Sequence, residues 1–427
     1  MGSCWPTGPA MTMGAGGTRE RLILFLGRAR GESVVVSVAR LFSAGCALLI
    51  AVVSARHLGP VGRGEIVFVM TVCVLGSEFV SLGVNVSGRI HILRRTGVAV
   101  EDCLGLTVVL AVVQALLMVL VLGVVGVVTM GISALSCVLG VFLGVAMFVA
   151  HMLVDAAFSL RRTLETGLRD LMIGVTPLLP VLAFSVTGGL SVSLVIGATA
   201  AGYAVGGVYL WTVVRRRIGS VRFSPSSWGA IIRSGLPVLG GSFGQALAFR
   251  ADRLVLGLLA TPAALGVFSV AATTAELPRL LLVPVTQVLA NRVAGGEIPA
   301  SGLRRMVVRL GVGYGMVMLV VALFSAQVVL PIVGEEFAGL RDSVAVLALS
   351  EMLLAGYFLA VAVLTGLGRF RRLPIPAIVG ATVLLVVDVL VVGEHGGLGA
   401  AWTRVAGFGM MSIVAVTSML VVLRSER

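Results

Sequence analysis

The amino-acid sequence predicts an all-α polytopic membrane protein with about 12 transmembrane helices. Long apolar runs, a small charged fraction and an uneven distribution of arginine lead to this prediction. Of the 427 residues, 58% are hydrophobic and only 12% are charged, whereas soluble domains carry about twice that charged fraction. Each apolar run contains roughly the 20 residues that cross about 30 Å of hydrocarbon. The runs cover residues 34–55, 66–87, 103–127, 131–154, 171–187, 191–213, 236–257, 267–290, 310–330, 343–366, 373–393 and 398–423.

The basic residues predict how these runs are oriented. All 32 are arginines, which together with much alanine, glycine and valine is typical of a GC-rich bacterial genome. If the N-terminus lies inside, 24 of them fall in inner connections, 3 in outer connections and 5 within apolar runs. Cytoplasmic loops of membrane proteins carry such an excess of positive charge. We therefore expect a multi-pass protein of the bacterial cytoplasmic membrane with both termini in the cytoplasm.

The order of the runs predicts five segments. A cytoplasmic N-terminal segment (1–33) without the features of a signal peptide precedes a first six-helix bundle (34–213). A polar, Ser- and Pro-containing cytoplasmic linker (214–235) leads to a second six-helix bundle (236–423), and a short cytoplasmic tail (424–427) ends the chain. No connection is long enough to form a separate soluble domain.

A weak internal repeat relates the two bundles. An offset of 202 residues places the first run on the seventh and the second run on the eighth, and it aligns Pro60 with Pro262 and Gly64 with Gly266. Because six crossings return the chain to the same side, the bundles form a parallel repeat, related by an axis along the membrane normal. Two such bundles leave a central cleft, which is where transporters commonly bind their substrates.

Arg63 and Arg169 are predicted to lie in connections between helices. The Gly- and Pro-containing stretch 56–65 predicts an outer loop, which would hold Arg63. The more polar stretch 155–170 predicts an inner connection, which would hold Arg169. On this interpretation the fourth, fifth and sixth runs contribute almost no charge to the membrane interior.

Composition and motifs exclude several classes of protein. The net charge of +13 lies in the inner connections, where it faces anionic lipid, so we expect membrane lipids and no nucleic acid as partners. The phosphate-binding loop of many ATPases requires a lysine, and this chain has none. The five cysteines are scattered without the spacing of a zinc or disulfide framework. We expect no catalytic residue, no metal site and no cofactor.

Charged residues inside the apolar runs are the candidate functional residues, because a charge in a bilayer costs about 2.5–3.5 kcal/mol on insertion scales. Most of them lie on the repeat-related first, second, seventh and eighth runs. A guanidinium group can donate two parallel hydrogen bonds to two oxygens and stays charged. Four arginines are therefore predicted to bind an anionic substrate: Arg40, Arg250, Arg253 and Arg279. Three carboxylates are predicted to balance them or to couple to a cation: Glu78, Asp252 and Glu276.

Internal ion pairs are the alternative interpretation of these charges. Glu276 and Arg279 are three residues apart and could pair on one helix face. Arg40 and Arg253 could instead extend to the nearer membrane surface. Three further charged residues lie nearer the ends of their runs and are weaker candidates: Glu351, Asp388 and Arg404.

Several stretches resemble bacterial polysaccharide flippases. The clearest is FRADRLVLGLLATPAALGVFSVAATTAELP (Phe249–Pro278), which is similar to the start of the second half in that family. ARHLGPVGRGEIVFV resembles the first-half counterpart, although Arg63 stands where the family often has an aromatic residue. VVLPIVGEEFAGLRDSVAVLAL (Val328–Leu349) and LTGLGRFRRLP (Leu364–Pro374) resemble two further blocks. The family belongs to a superfamily that also holds lipid II flippases and multidrug exporters. The resemblance implies two bundles in a V-shape and a lipid-linked sugar as substrate.

The leading hypothesis is therefore a flippase that moves a polyprenyl-diphosphate-linked oligosaccharide across the cytoplasmic membrane for cell-surface polysaccharide biosynthesis. The alternative is a cation-coupled multidrug exporter of the same fold, which would favour an acidic cavity. A membrane enzyme is disfavoured, because its chemistry would need acidic or histidine-rich outer loops, and here these loops are short. The lipid-linked glycan is the expected substrate, and a glycan polymerase is a conceivable partner that the sequence does not identify.

Overall fold

The computed structural model describes residues 15–93, 97–218, 220–298 and 300–425. Residues 1–14 of the predicted N-terminal segment, and residues 426–427 of the tail, lie outside this part of the chain. Within it the structure is α-helical and contains no strand, which confirms the predicted all-α membrane fold. The helices are α1 (Ala15–Val80), α2 (Val84–Leu93), α3 (Val100–Leu120), α4 (Val127–Met130), α5 (Ala134–Ser159), α6 (Thr163–Thr187), α7 (Val192–Arg215), α8 (Pro225–Leu259), α9 (Pro262–Glu276), α10 (Arg279–Ala294), α11 (Ala300–Val333), α12 (Leu340–Gly366) and α13 (Pro374–Ser425). A π-helical turn (Val121–Gly126) joins α3 to α4.

The two longest helices, α1 and α13, each consist of two arms joined at a glycine. Gly59 has φ 65° and is followed by Pro60, and Gly396 has φ 55°. Glycine adopts positive φ without steric penalty, so the helical hydrogen bonding is interrupted at these points. Arg63 donates to the Ser54 hydroxyl across the first break, at 3.3 Å, so the arms of α1 fold back on one another. In a straight helix nine residues would span roughly 13 Å.

Eight helical stretches of the described residues are long and apolar enough to cross a membrane. The α1 and α13 stretches among them, Val35–Val80 and Phe370–Ser425, contain the two glycine breaks and are long enough for two crossings each. Helices α8 and α11 are not among the eight, although both exceed 30 residues. The number of 12 crossings stays a prediction.

We refer to α1–α7 as the first half and α8–α13 as the second half. The end of the molecule that holds Gly59, Thr261 and Gly396 is called the outer end, because the arginine distribution predicts that it faces outward. One hydrophobic core at this end contains residues of both halves, among them Phe68 and Phe268, both fully buried. A second core contains only residues of the second half. The two halves are therefore joined at the outer end by shared apolar packing.

Two glycines make this junction possible. A Cβ atom at Gly64 would overlap the carbonyl oxygen of Pro262, and a Cβ atom at Gly266 would overlap the carbonyl oxygen of Pro60. The 202-residue offset aligns Gly64 with Gly266 and Pro60 with Pro262, so each glycine contacts the proline of the other half and the contact is reciprocal. Small residues allow helices in membranes to approach this closely.

Substitution of these glycines is expected to destabilise the outer junction. Gly64→Ala and Gly266→Ala should each cost about 1–3 kcal/mol of folding free energy, the usual cost of overpacking, because backbone atoms cannot move aside as a side chain can. Thermal unfolding of the purified protein in detergent measures this. Gly313→Ala is the matched control, since nothing lies within 4 Å of a Cβ atom there. Equal melting temperatures for the three variants would contradict the assignment.

Helix α8 packs against both halves. Near its start, Trp228 and Ile231 pack in a core with Val80 and Leu106 of the first half, and the Trp228 indole donates to the Asp102 carbonyl at 3.0 Å. Further along, α8 contributes to the second-half core. The connection between α7 and α8 is shorter than the predicted linker 214–235, because Pro225 occupies a favourable first helical position and Ile231 after it is buried.

Candidate substrate cavity

A cavity of about 560 Å³ lies between the two halves. Helices α1, α6 and α7 line it from the first half, and α8, α9 and α10 line it from the second. Most of the wall is apolar, for example Ile66, Ile173 and Val195, with hydroxyl groups from Thr199, Tyr203 and other residues. The repeat-related bundles therefore enclose a mainly apolar space into which a few polar side chains project, as in many small-molecule sites.

The charged residues of the wall are mostly arginines. Five arginines and two carboxylates line the cavity, so positive charge exceeds negative charge by three. Both halves contribute. The residues are Arg40, Arg63, Arg169 and Asp170 from the first half, and Arg250, Arg253 and Glu276 from the second.

Three of these arginines, Arg63, Arg250 and Arg253, form what we call the outer arginine group. Arg63 is 9% exposed, and its Nε atom has no hydrogen-bond partner among the described residues. Arg250 makes no hydrogen bond or ion pair with the part of the chain that the structure describes. Arg253 donates to Glu276 at 2.6 Å, but its Nε atom is also unsatisfied within the described ranges. Guanidinium N–H donors without hydrogen-bond partners are costly in a buried site, so this group is suited to bind an anion.

Glu276 joins the cavity wall to a buried charge network of the second half. Its Oε1 atom accepts hydrogen bonds from Arg253 and, at 2.5 Å, from Arg404. Arg404 is fully buried and also contacts Glu351 at 3.2 Å and Asp252 at 3.5 Å. One fully buried arginine thus neutralises carboxylates from three other helices, α8, α9 and α12.

Arg279 completes this network away from the cavity. Its guanidinium group pairs with both carboxylate oxygens of Glu351 and lies over the Phe249 ring, 4.8 Å from the ring centre. Three arginines and three carboxylates balance each other here: Arg253, Arg279, Arg404, Asp252, Glu276 and Glu351. Because the network is close to neutral, most of the excess charge of the cavity comes from Arg63, Arg250 and the first-half pair Arg40 and Arg169.

The structure divides the seven predicted site residues into three groups. Arg40, Arg250, Arg253 and Glu276 line the cavity. Arg279 and Asp252 lie behind its wall in the charge network. Glu78 is partly buried near the inner end of the second arm of α1 and does not line the cavity. The possible Glu276–Arg279 pair is not the one observed, since the two residues bond to different partners.

Three cavity residues were not among the predicted site residues, namely Arg63, Arg169 and Asp170. The stretch 56–65 is helical on both sides of Gly59 and does not form the predicted outer loop, so Arg63 is buried on the second arm of α1. Helix α6 begins at Thr163, eight residues before the predicted run, and Asp170 in its second turn accepts hydrogen bonds from both Arg169 and Arg40. Hydropathy averaged over a fixed window falls where charges occur, so it predicts a loop even where the charges are paired within a helix.

No group of three or more His, Cys, Asp or Glu side chains is positioned for a metal ion in the described ranges. The cysteines that the structure describes, Cys46, Cys73, Cys103 and Cys137, are free thiols and lie outside the cavity wall. What the cavity offers to a ligand is hydrogen bonding and positive charge.

Comparisons with known proteins fit this arrangement. Residues 31–290 match the family described as polysaccharide biosynthesis protein. A comparison with curated protein sequences found no match. Among solved structures, the lipid II flippase MurJ in an inward closed conformation is 12% identical, with a TM-score of 0.74 over 90% of this chain and 87% of that one. An inward-facing multidrug resistance MATE family transporter of the MOP superfamily is 18% identical, with a TM-score of 0.68 over 91% and 98%. At these identities the similarity concerns the fold.

Proposed function

The chain belongs to the polysaccharide biosynthesis protein family, and we propose that it is a flippase that moves a polyprenyl-diphosphate-linked oligosaccharide across the cytoplasmic membrane. The proposed movement is alternating access, in which the two halves rock about the cavity and open it to one side at a time. The proposed role is in cell-surface polysaccharide biosynthesis.

One observation carries this proposal, namely the excess of arginine in a cavity shared by both halves. The outer arginine group presents guanidinium N–H donors that lack partners among the described residues. A diphosphate is a compact dianion whose oxygens match the forked donors of arginine. A substrate held by Arg63 of the first half and by Arg250 and Arg253 of the second would bridge the two moving parts.

A multidrug exporter of the same fold is the second candidate, favoured by the similarity to MATE transporters. Exporters of cationic drugs need negative charge in the cavity. Both carboxylates of this cavity are already paired with arginines, Asp170 with Arg40 and Arg169, and Glu276 with Arg253 and Arg404. A cationic ligand would meet a positively charged wall, which favours the flippase.

A reconstituted system tests the proposed function. Purified full-length protein is placed in liposomes with a fluorescent polyprenyl-diphosphate-linked oligosaccharide, and an impermeant quencher reports the label on the outer leaflet. We expect the protein to accelerate exchange between leaflets and to hydrolyse no ATP. In parallel vesicles, uptake of the cationic dye ethidium is measured. Dye transport without glycan exchange would favour the exporter and refute the flippase.

We also propose that both termini lie in the cytoplasm. The excess of arginine in the predicted inner connections supports this orientation. A reporter enzyme fused after residue 219, which lies outside the described residues, is expected to be active in the cytoplasm. A reporter fused after Glu394, next to the break at Gly396, is expected to be active outside. If both fusions report the same side, the proposed topology is wrong.

A further inference from the structure

The second arm of α1 and helix α9 begin at equivalent positions of the two halves. The 202-residue offset aligns Gly59 with Thr261, and the next residue in both places is a proline. The first N–H groups of a helix have no partner within the helix, so the side chain of the preceding residue commonly caps them. Thr261 does this for α9, since its hydroxyl accepts a hydrogen bond from the Ala264 backbone N–H at 3.2 Å.

Gly59 cannot provide such a cap for the second arm of α1. It has φ 65° and ψ −175°, a backbone conformation that is essentially restricted to glycine. The break in α1 therefore excludes the capping side chain that Thr261 contributes in the second half. The N-terminus of the second arm carries partial positive charge, and a cap for it has to come from another part of the chain.

A carboxylate of the second half lies at this position. The Oε2 atom of Glu336 is 3.1 Å from the point where a Cβ atom of Gly59 would stand. Glu336 belongs to the 3₁₀ turn Glu335–Phe337, which connects α11 to α12. Phe337 is fully buried in the core that both halves share at the outer end, so the turn is packed firmly against the first half. A negative side chain beside a helix N-terminus stabilises that helix.

We propose that Glu336 is an outer latch, a helix cap that the second half supplies to the first. When the two halves rock apart at the outer end, Gly59 moves with the first half and Glu336 with the second, so the cap is lost. The contact therefore stabilises only the state in which the outer end is closed, as it is in this structure. This inference rests on the alternating access of the proposed function.

The effect of the latch is expected to be moderate, because Glu336 is exposed. A charge at an exposed helix end changes an equilibrium by about two- to fivefold at low ionic strength, and salt weakens the interaction. A latch of this strength favours closure of the outer end and still allows a bound substrate to open it.

The test measures the opening of the outer end by electron spin resonance, with the full-length protein in liposomes at low salt. Spin labels are attached to cysteines introduced at Val186 and Leu398 after the native cysteines are replaced by alanine. Both residues are exposed, one near the end of α6 and the other next to the break in α13. We expect a shorter distance for molecules closed at the outer end and a longer one for open molecules. Glu336→Ala should raise the ratio of open to closed molecules by about two- to fivefold.

Two further variants separate the charge of Glu336 from general effects of substitution. Glu336→Gln loses the charge and keeps a hydrogen-bond acceptor, so it should give an intermediate ratio. Glu335→Ala is the matched control and should leave the ratio unchanged, because Glu335 is an exposed carboxylate of the same turn and does not approach Gly59.

The outcomes distinguish the latch from the rocking motion on which it depends. An unchanged ratio in Glu336→Ala, or an equal rise in Glu335→Ala, would overturn the latch. A lower melting temperature of Glu336→Ala without a change in the ratio would make Glu336 a static cap and would also overturn it. A single distance in the wild-type protein, both with and without the polyprenyl-diphosphate-linked oligosaccharide, would refute the alternating access itself.

Discussion

Arg404→Met is expected to be the most destabilising single substitution in the molecule. Arg404 is fully buried. Its removal leaves the three carboxylates of Asp252, Glu276 and Glu351 with only two arginines to balance them. Breaking a buried ion pair by removing one partner typically costs about 3–5 kcal/mol. The melting temperature and the yield of monodisperse protein in detergent should both fall sharply.

Arg424→Gln is the control for this experiment, since Arg424 is exposed in the last turn of α13. A second variant, Arg404→Met with Glu276→Gln, restores the charge balance and should recover part of the loss. If Arg404→Met is as stable as Arg424→Gln, the network does not hold α13 against α8, α9 and α12, and its description as a structural unit is wrong.

Arg250→Gln is expected to have the opposite profile, with normal insertion and little glycan transport. Arg250 makes no hydrogen bond or ion pair in the described part of the chain, so its removal breaks no direct contact and should not lower stability. In the proposed complex it donates to the diphosphate, and a hydrogen bond to a charged group contributes about 1.5–3 kcal/mol. Glycan export should therefore fall by roughly one to two orders of magnitude.

The matched control is Arg216→Gln, an exposed arginine just after α7, which should be nearly silent. Export and membrane insertion are measured in the same cells, so that a loss of transport can be separated from a loss of protein. If Arg250→Gln exports glycan normally while Arg216→Gln does not, the outer arginine group does not bind the substrate.

The predicted fold depended on properties that are local in sequence. Apolar run length and arginine placement require no knowledge of which helices meet, so the polytopic α-helical fold could be predicted. The repeat could be found for the same reason, because Pro60 and Gly64 recur as Pro262 and Gly266. That these four residues contact each other across the two halves follows only from the tertiary structure.

The site was less predictable because pairing between distant residues decides which charges are buried. Arg404 was a weak candidate from its place near the end of a run, yet α13 folds back at Gly396 and brings it to the centre of the network. Arg279 shares a run with Glu276 but bonds to Glu351 on α12. A buried charge in an apolar run signals importance, but the sequence does not say whether its partner is another residue or a ligand.

We propose that the cavity arginines bind the diphosphate of a lipid-linked oligosaccharide. An experimental structure of the full-length protein with that substrate tests it most directly. We expect the two phosphates to lie within hydrogen-bond distance of Arg63, Arg250 and Arg253. A diphosphate located outside the cavity, with the outer arginine group left unliganded, would contradict this claim.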